Sequence, residues 1–303
     1  MTRRVLVTGA GGFIGRGTLA PLVASGAEVH AISSRPHERG MAAEGVTWHQ
    51  LDLLGPMAAD AVREIGAEEL IHLAWYAEPG LFWRSERNLD WVAASLSLLQ
   101  GFVAGGGRRA VLAGSCAEYA WSDETVCVED VTPLSAATLY GAAKHGLHTV
   151  AAAYAREVGL SLAWGRIFFV FGPFEDSARL AGSVASALVA GEPALCSHGE
   201  QVRDFIYAPE LAEAFVALLA SPVEGAVNMG SGRPLRIRDL VMALADAAGR
   251  SDLIRLGARP AGDEPALLTA DVTRLREQVG WEPALELGEA ARRTVAWWRE
   301  HAS

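Results

Sequence analysis

Val5-Leu6-Val7-Thr8-Gly9-Ala10-Gly11-Gly12-Phe13-Ile14-Gly15 is the stretch in which the fold is legible. A short apolar, β-branched run ends at Thr8 and gives way to glycines at 9, 12 and 15. Thr18, Leu19, Leu22 and Val23 then recur at helical spacing, which predicts strand, glycine turn and helix without a gap. Gly9 permits a tight turn, Gly12 lets backbone amides approach a pyrophosphate, and Gly15 lets the helix pack close to the strand. The start of that helix favours negative charge. The spacing G-x-x-G-x-x-G differs from the commoner G-x-G-x-x-G. Its place directly behind a buried-type strand still predicts a dinucleotide site over an ordinary turn.

Composition narrows the class. A chain of 303 residues, 50% apolar, can bury a full core. No apolar run approaches the roughly 20 residues of a membrane span. The charged opening Met1-Thr2-Arg3-Arg4 is followed by an apolar run that glycine soon breaks, so a strand is expected there and not a targeting segment. Cys116, Cys127 and Cys196 form no Cys-x-x-Cys pair, and three cysteines do not suit a disulfide framework. A cytoplasmic protein is expected. A net charge of −10 argues against nucleic acid as a partner. His145 and His148 sit one turn apart but lack a third ligand in sequence, so no metal site is expected.

Beyond the first helix, Glu28–Ile32 reads as a second strand ending at Ser33-Ser34-Arg35. An acidic residue at this strand end would receive the ribose hydroxyls of NAD. Hydroxyls and a guanidinium suit a 2′-phosphate instead, so NADP(H) is favoured, with NAD(H) the alternative. Val46–His49, Leu70–Leu73, Ala110–Ala113 and Leu160–Ile167 are further expected strands, with Asp52 placed to meet an adenine and small Ala74 leaving room for the cofactor. Trp75, Tyr76, Phe82 and Trp83 form an aromatic stretch able to wall a sugar-sized pocket. The alternation predicts a doubly wound parallel α/β Rossmann domain over 1–173, with a segment returning near 203–222. A smaller α+β domain, mainly for the substrate, is expected over 174–303, with short strands near Arg203–Ile206 and Ala226–Met229 and helices near Ala178–Ala190, Pro209–Ala220, Ile237–Ala248 and Gly288–His301.

Ser115 lies at a strand end, and Tyr140 and Lys144 project from one face of a helix that begins near Leu139. Together they suit carbonyl redox chemistry. An ammonium one turn away, aided by the nicotinium charge, favours phenolate, and lowering a phenol from about 10 toward 7 takes roughly 4 kcal/mol. Tyr140 could then exchange a proton with a substrate oxygen that Ser115 orients.

These residues, with Asp52, His72-Leu73-Ala74, Tyr119, Arg166, Gly172-Pro173, Arg203-Asp204-Phe205 and Asn228-x-Gly230-x-Gly232, resemble the extended short-chain dehydrogenase/reductases of the NAD-dependent epimerase/dehydratase family. The resemblance implies a nucleotide-sugar substrate and Ser115, Tyr140 and Lys144 as catalytic residues. Cofactor contacts are expected at Gly9, Gly12, Phe13, Ile14, Gly15, Ser33, Ser34, Arg35, Asp52, Leu53, Leu73, Ala74, Tyr140 and Lys144. Substrate contacts are expected at Trp75, Ser115, Cys116, Phe169 and Arg203, the last gripping a diphosphate. It also implies a homodimer paired through the helices expected at Ser85–Val103 and Leu139–Arg156.

Departures from the family pattern bear on the reaction. Dehydratases resemble Thr-Asp-Glu-x-Tyr where this chain has Ser115-Cys116-Ala117-Glu118-Tyr119, so the proton-moving acids are missing and Glu118 stands one place late. Reductase–epimerases of fucose precursors place cysteine where Ala117 stands, and an extended segment would turn Cys116 away. Phe169 replaces a usual asparagine and implies a more apolar pocket. The expectation is an NADP(H)-dependent ketoreductase of a nucleotide-linked 4-keto-6-deoxyhexose. An NAD-dependent 4-epimerase is the alternative, and a non-catalytic dinucleotide sensor is a third reading.

Overall fold

The structure is a computed structural model that describes residues 2–35, 44–122, 124–262 and 265–301. β1 (Arg4–Thr8) runs through the glycine turn into α1 (Gly15–Ala24), as the opening stretch predicts. There follow β2 (Glu28–Ser33), β3 (Val46–Gln50), α2 (Ala58–Ile65), β4 (Glu69–His72), α3 (Arg87–Ala104) and β5 (Arg109–Ser115). Next come β6 (Glu124–Cys127), α4 (Leu139–Val158), β7 (Ser161–Ile167), β8 (Phe169–Phe171) and α5 (Leu180–Ala190). The remainder comprises β9 (Ala194–Leu195), β10 (Val202–Tyr207), α6 (Ala208–Ala220), β11 (Gly225–Met229), β12 (Pro234–Arg236), α7 (Ile237–Ala248), β13 (Ile254–Arg255), β14 (Leu267–Ala270) and α8 (Leu287–His301).

Seven strands form one parallel sheet in the order β11-β7-β5-β4-β1-β2-β3. Its central strands are apolar almost throughout because helices cover both faces. Leu19, Leu22, Leu211 and Phe215 pack on one side, and Leu98, Leu99, Phe102, Leu147 and Ala151 on the other. The doubly wound fold is therefore present. Strand order reverses between β1 and β4, and both end at the glycine turn and at Ala74, where such sheets take ligands.

The return to this sheet differs from the sequence reading. β10 holds Arg203 but belongs to the second sheet, ordered β12-β10-β14-β6, with β8 also paired to β10. The chain rejoins the main sheet through α6, packed on α1, and ends the crossover in β11 beside β7. Ala226–Met229 is thus the seventh strand of the Rossmann sheet and no part of the smaller unit. The reason is physical: a parallel partner for β7 needs a crossover helix, and α6 supplies it. A third apolar cluster, around Val184, Leu188, Leu240, Leu244 and Val295, joins α5, α7 and α8 over the second sheet.

Candidate active site

The glycine turn is built as a cradle for a dinucleotide. Gly9 sits at φ 67°, in the left-handed region, and a Cβ on Gly15 would collide with the Gly9 carbonyl. Gly12 N–H donates to that same carbonyl at 2.9 Å, and no side chain caps the start of α1. Arg16 N–H and Gly17 N–H already donate to the Gly12 and Ile14 carbonyls, at 3.4 Å and 3.0 Å, so what the helix start offers a ligand such as a pyrophosphate is the positive end of its dipole. Phe13 and Ile14 line the turn half-buried, and Ala74 N–H leans on the Thr8 hydroxyl at 3.5 Å. His72 fixes this corner, its two ring nitrogens bonded to Thr8 (2.6 Å) and Ser95 (2.9 Å). At the end of β2, Ser33 is half-buried and Ser34 and Arg35 are exposed. The Ser33 hydroxyl accepts the Arg35 N–H at 3.2 Å. Asp52 is exposed next to buried Leu53, and Leu73 continues the main sheet by donating its N–H to the Thr8 carbonyl. These residues fit a nicotinamide dinucleotide, which would supply the hydride acceptor and donor of the reaction.

Ser115, Tyr140 and Lys144 come together. Ser115 ends β5, and its hydroxyl lies within hydrogen-bonding reach of the Tyr140 phenol. The approach of α4 to this strand end depends on Gly141, where a Cβ would collide with the Ala117 carbonyl. Thr138 caps α4 by accepting the Gly141 N–H at 3.1 Å, and Tyr140 N–H donates to the Trp83 carbonyl at 3.1 Å. Phe82 and Trp83 stand edge-on to the Tyr140 ring, with centroids 4.8 Å and 5.7 Å away. Trp121 meets Trp83 edge-on and donates its indole N–H to the Cys116 carbonyl at 2.9 Å. Phe82 and Trp83 of the aromatic stretch thus pack against the Tyr140 ring.

Two expectations about this site meet the structure differently. In the protein alone burial pushes the Tyr140 phenol up to about 12 despite the Ser115 hydroxyl, so the phenolate expected beside Lys144 depends on the nicotinium charge that the expectation included. Burial also pushes the Lys144 ammonium down to about 7, against the pull of Glu118. Its Nζ donates to the Ala113 carbonyl at 2.8 Å and lies 3.7 Å from the centre of the Trp75 ring. Trp75, expected at the substrate, faces the lysine. Secondly, Cys116–Glu118 is a 3₁₀ turn and not an extended segment, so alternation does not apply. Cys116 is buried on this turn, directly after Ser115.

Beneath the trio runs a buried polar network that the sequence does not announce. Glu118 is wholly buried and pairs with Arg166 at 3.0 Å. It also accepts the Ser115 N–H (2.8 Å) and the Trp164 indole N–H (2.9 Å). Arg166 donates to the Tyr119 hydroxyl, which donates to Asn228 Oδ1 at 2.7 Å. Glu118, His145 and His148 do bring ligand atoms within 4.8 Å of one another, so a third potential metal ligand exists after all. Its carboxylate already takes three donors, one of them a guanidinium, which suits a hydrogen-bonded network better than a cation site. Asp204, wholly buried, accepts the Ser231 and Gly232 N–H groups, so the Asp204 and Gly230–Gly232 motifs meet as one turn.

Arg203 is almost fully buried, donates to the Val202 and Pro265 carbonyls at 2.9 Å, and lies over the Phe169 ring. Phe169 in turn packs on Phe205 at 5.8 Å. The second sheet thus holds Phe169 and Arg203, two of the five expected substrate residues, with Phe205 beside them. One signal for Lys144 lay in composition and not in periodicity. It is the only lysine among 26 basic residues, all the others being arginine. An amine can lose its proton near neutrality and a guanidinium cannot, which sets this position apart.

A dinucleotide cradle at the switch point and a Ser–Tyr–Lys trio at the next strand end define a short-chain dehydrogenase/reductase of the extended type. The profile of the NAD dependent epimerase/dehydratase family matches residues 5–230, and the chain belongs to that family. It is similar to the UDP-glucose 4-epimerase of Mycolicibacterium smegmatis, 27% identical over 98% of each chain. It is also similar to UDP-glucuronic acid decarboxylase 1 of Xenopus tropicalis, 25% identical over 98% of this chain and 72% of that protein. The crystal structure of Thermus thermophilus UDP-glucose 4-epimerase in complex with NAD superposes with a TM-score of 0.84. That chain is 28% identical, with 98% of this chain and 99% of that one covered. No helix among the described residues is long and apolar enough to cross a membrane.

Proposed function

We propose that the protein is a 4-epimerase of a UDP-linked hexose, working through dinucleotide-dependent oxidation and re-reduction at C4. The observation that carries this reading is the Ser115–Tyr140–Lys144 site at the dinucleotide corner, in a chain similar end to end to UDP-glucose 4-epimerases. Tyr140 takes the C4 hydroxyl proton in one direction and returns it in the other, and Ser115 orients the oxygen. Phe82 and Trp83 hold the phenol and exclude water from it. Water loss is disfavoured because Cys116 and Ala117 stand where acids would be needed and Glu118 is locked on Arg166.

A second reading, a ketoreductase of a 4-keto-6-deoxyhexose drawing on NADPH, is supported by Ser33-Ser34-Arg35 and by the protonated state of Tyr140, ready to act as an acid. The proposal also includes a homodimer paired through α3 and α4, whose outer faces expose Leu89 and Val150. The test is incubation of the purified protein with UDP-glucose and no added cofactor. Appearance of UDP-galactose, abolished by Tyr140→Phe, supports the epimerase. Absence of interconversion, together with NADPH-dependent loss of a nucleotide 4-keto-6-deoxyhexose, supports the second reading and rejects the first.

A further inference from the structure

We propose that Trp75 is a positioning residue for Lys144, its indole face holding the ammonium in place and in its charged form. The inference rests on the reading of Ser115, Tyr140 and Lys144 as the reacting site. The 3.7 Å separation of Nζ from the ring centre is well inside the range of a cation–π contact, and desolvation strengthens such contacts. Lys144 is buried, with one of its donors on the Ala113 carbonyl.

The charged and titratable groups around it explain the need for the ring. Tyr140, His145 and His148 share α4, and Glu118 lies on the turn after β5. His72 lies on β4 and Arg166 on β7, while Cys116 lies next to Glu118. Glu118 carries the negative charge of this set, and it is already engaged by Ser115, Trp164 and Arg166. His72 is bonded through both ring nitrogens to Thr8 and Ser95. An electron-rich ring can therefore do what a second carboxylate would do, without setting another base beside the reacting phenol.

The ring is itself fixed. Its indole N–H donates to Asn88 Oδ1 at 2.9 Å, and its face leans on Trp91. Asn88 is fully buried and donates to the Phe82 and Ser85 carbonyls at 2.7 Å and 2.8 Å. One asparagine thus locks both the ring on Lys144 and the loop whose Phe82 and Trp83 clamp Tyr140. The arrangement is a clamp on two reacting groups from one loop.

The single lysine makes the test direct. In protein labelled with ε-¹³C-lysine, one ε-methylene signal reports Lys144. Wild type is expected to show ε-protons shifted upfield by the indole ring. In Trp75→Leu that shift should collapse and the amine midpoint should fall by about one pH unit, while Trp75→Phe keeps most of both. Turnover of the leucine variant should fall about fivefold more at pH 8 than at pH 6, with KM for the nucleotide sugar within about twofold. Unchanged ε-proton shifts and midpoint in Trp75→Leu would overturn the proposal. If that variant does not fold, Trp75→Met takes its place, and an unchanged midpoint and shift there decide against the proposal equally. Full activity of Tyr140→Phe and Lys144→Met would instead reject the reading of the site, whatever the lysine signal shows.

Discussion

Tyr140 keeps its proton at any physiological pH in the protein alone, with burial pushing it up to about 12. Under the proposed function it is an acid at rest, and it acts as a base once bound ligands alter its surroundings. Tyr140→Phe should lower turnover at least about a hundredfold and leave dinucleotide affinity within about twofold, measured by steady-state kinetics and cofactor titration. Near-normal turnover would remove Tyr140 from the chemistry. Lys144 is charged below about 7 and neutral above it, since burial lowers its value. The free enzyme's kcat/KM should then decline on the basic side of neutrality, and a flat profile from pH 6 to 9 would contradict this. Ser115, Tyr140 and Lys144 were legible because two share a helix face and the third ends a strand. The partners beneath them were not. Tyr119 reaches Asn228 across 109 positions and Arg166 reaches Glu118 across 48, and no local spacing encodes such meetings.

The turn after β5 shows how an element carries the site. Ser115 and Glu118 form a reciprocal capping box, so the nucleating hydroxyl and the buried carboxylate are set by the same backbone. Glu118→Gln should lower stability by about 3–5 kcal/mol in urea unfolding, because Arg166 is left as an uncompensated buried charge. A loss below about 1 kcal/mol would mean that the pair is not maintained in solution. Ahead of α5, Glu175 is buried with Oε2 unpartnered, and burial raises its carboxyl to about 8 against the pull of Arg179. The unfolded chain ionises this group near 4.5 and the folded one near 8, so stability is lost as pH rises between those values. Glu175→Gln should accordingly raise Tm relative to wild type at pH 8 and little at pH 5, and equal shifts at both would refute the assignment. Long helices such as α7 could be read from their period. Of the second sheet β10 could be read at Arg203–Ile206, but Phe169–Phe171, Pro234–Arg236 and Leu267–Ala270 are too short to show a period.

At the scale of the whole molecule, the parallel sheet was legible up to β7, where strand and helix alternate. It ceased to be legible where the chain leaves for the second sheet and returns through α6 and β11. Cofactor choice also belongs to this scale, because it decides whether the protein works alone or draws on a cellular pool. If Arg35 binds a 2′-phosphate, Arg35→Ala should weaken NADPH about ten- to a hundredfold and leave NADH unchanged, read by fluorescence titration. Equal affinities in wild type would take Arg35 out of cofactor selection. The most direct test of the central claim follows the hydrogen at C4. UDP-glucose carrying deuterium at C4 is incubated with the protein in ordinary water, without added cofactor, and the product is examined by NMR. The expected result is UDP-galactose that retains deuterium at C4, since the hydrogen removed is the hydrogen returned. Recovery of only unchanged UDP-glucose, or of product with hydrogen at C4, would contradict a 4-epimerase.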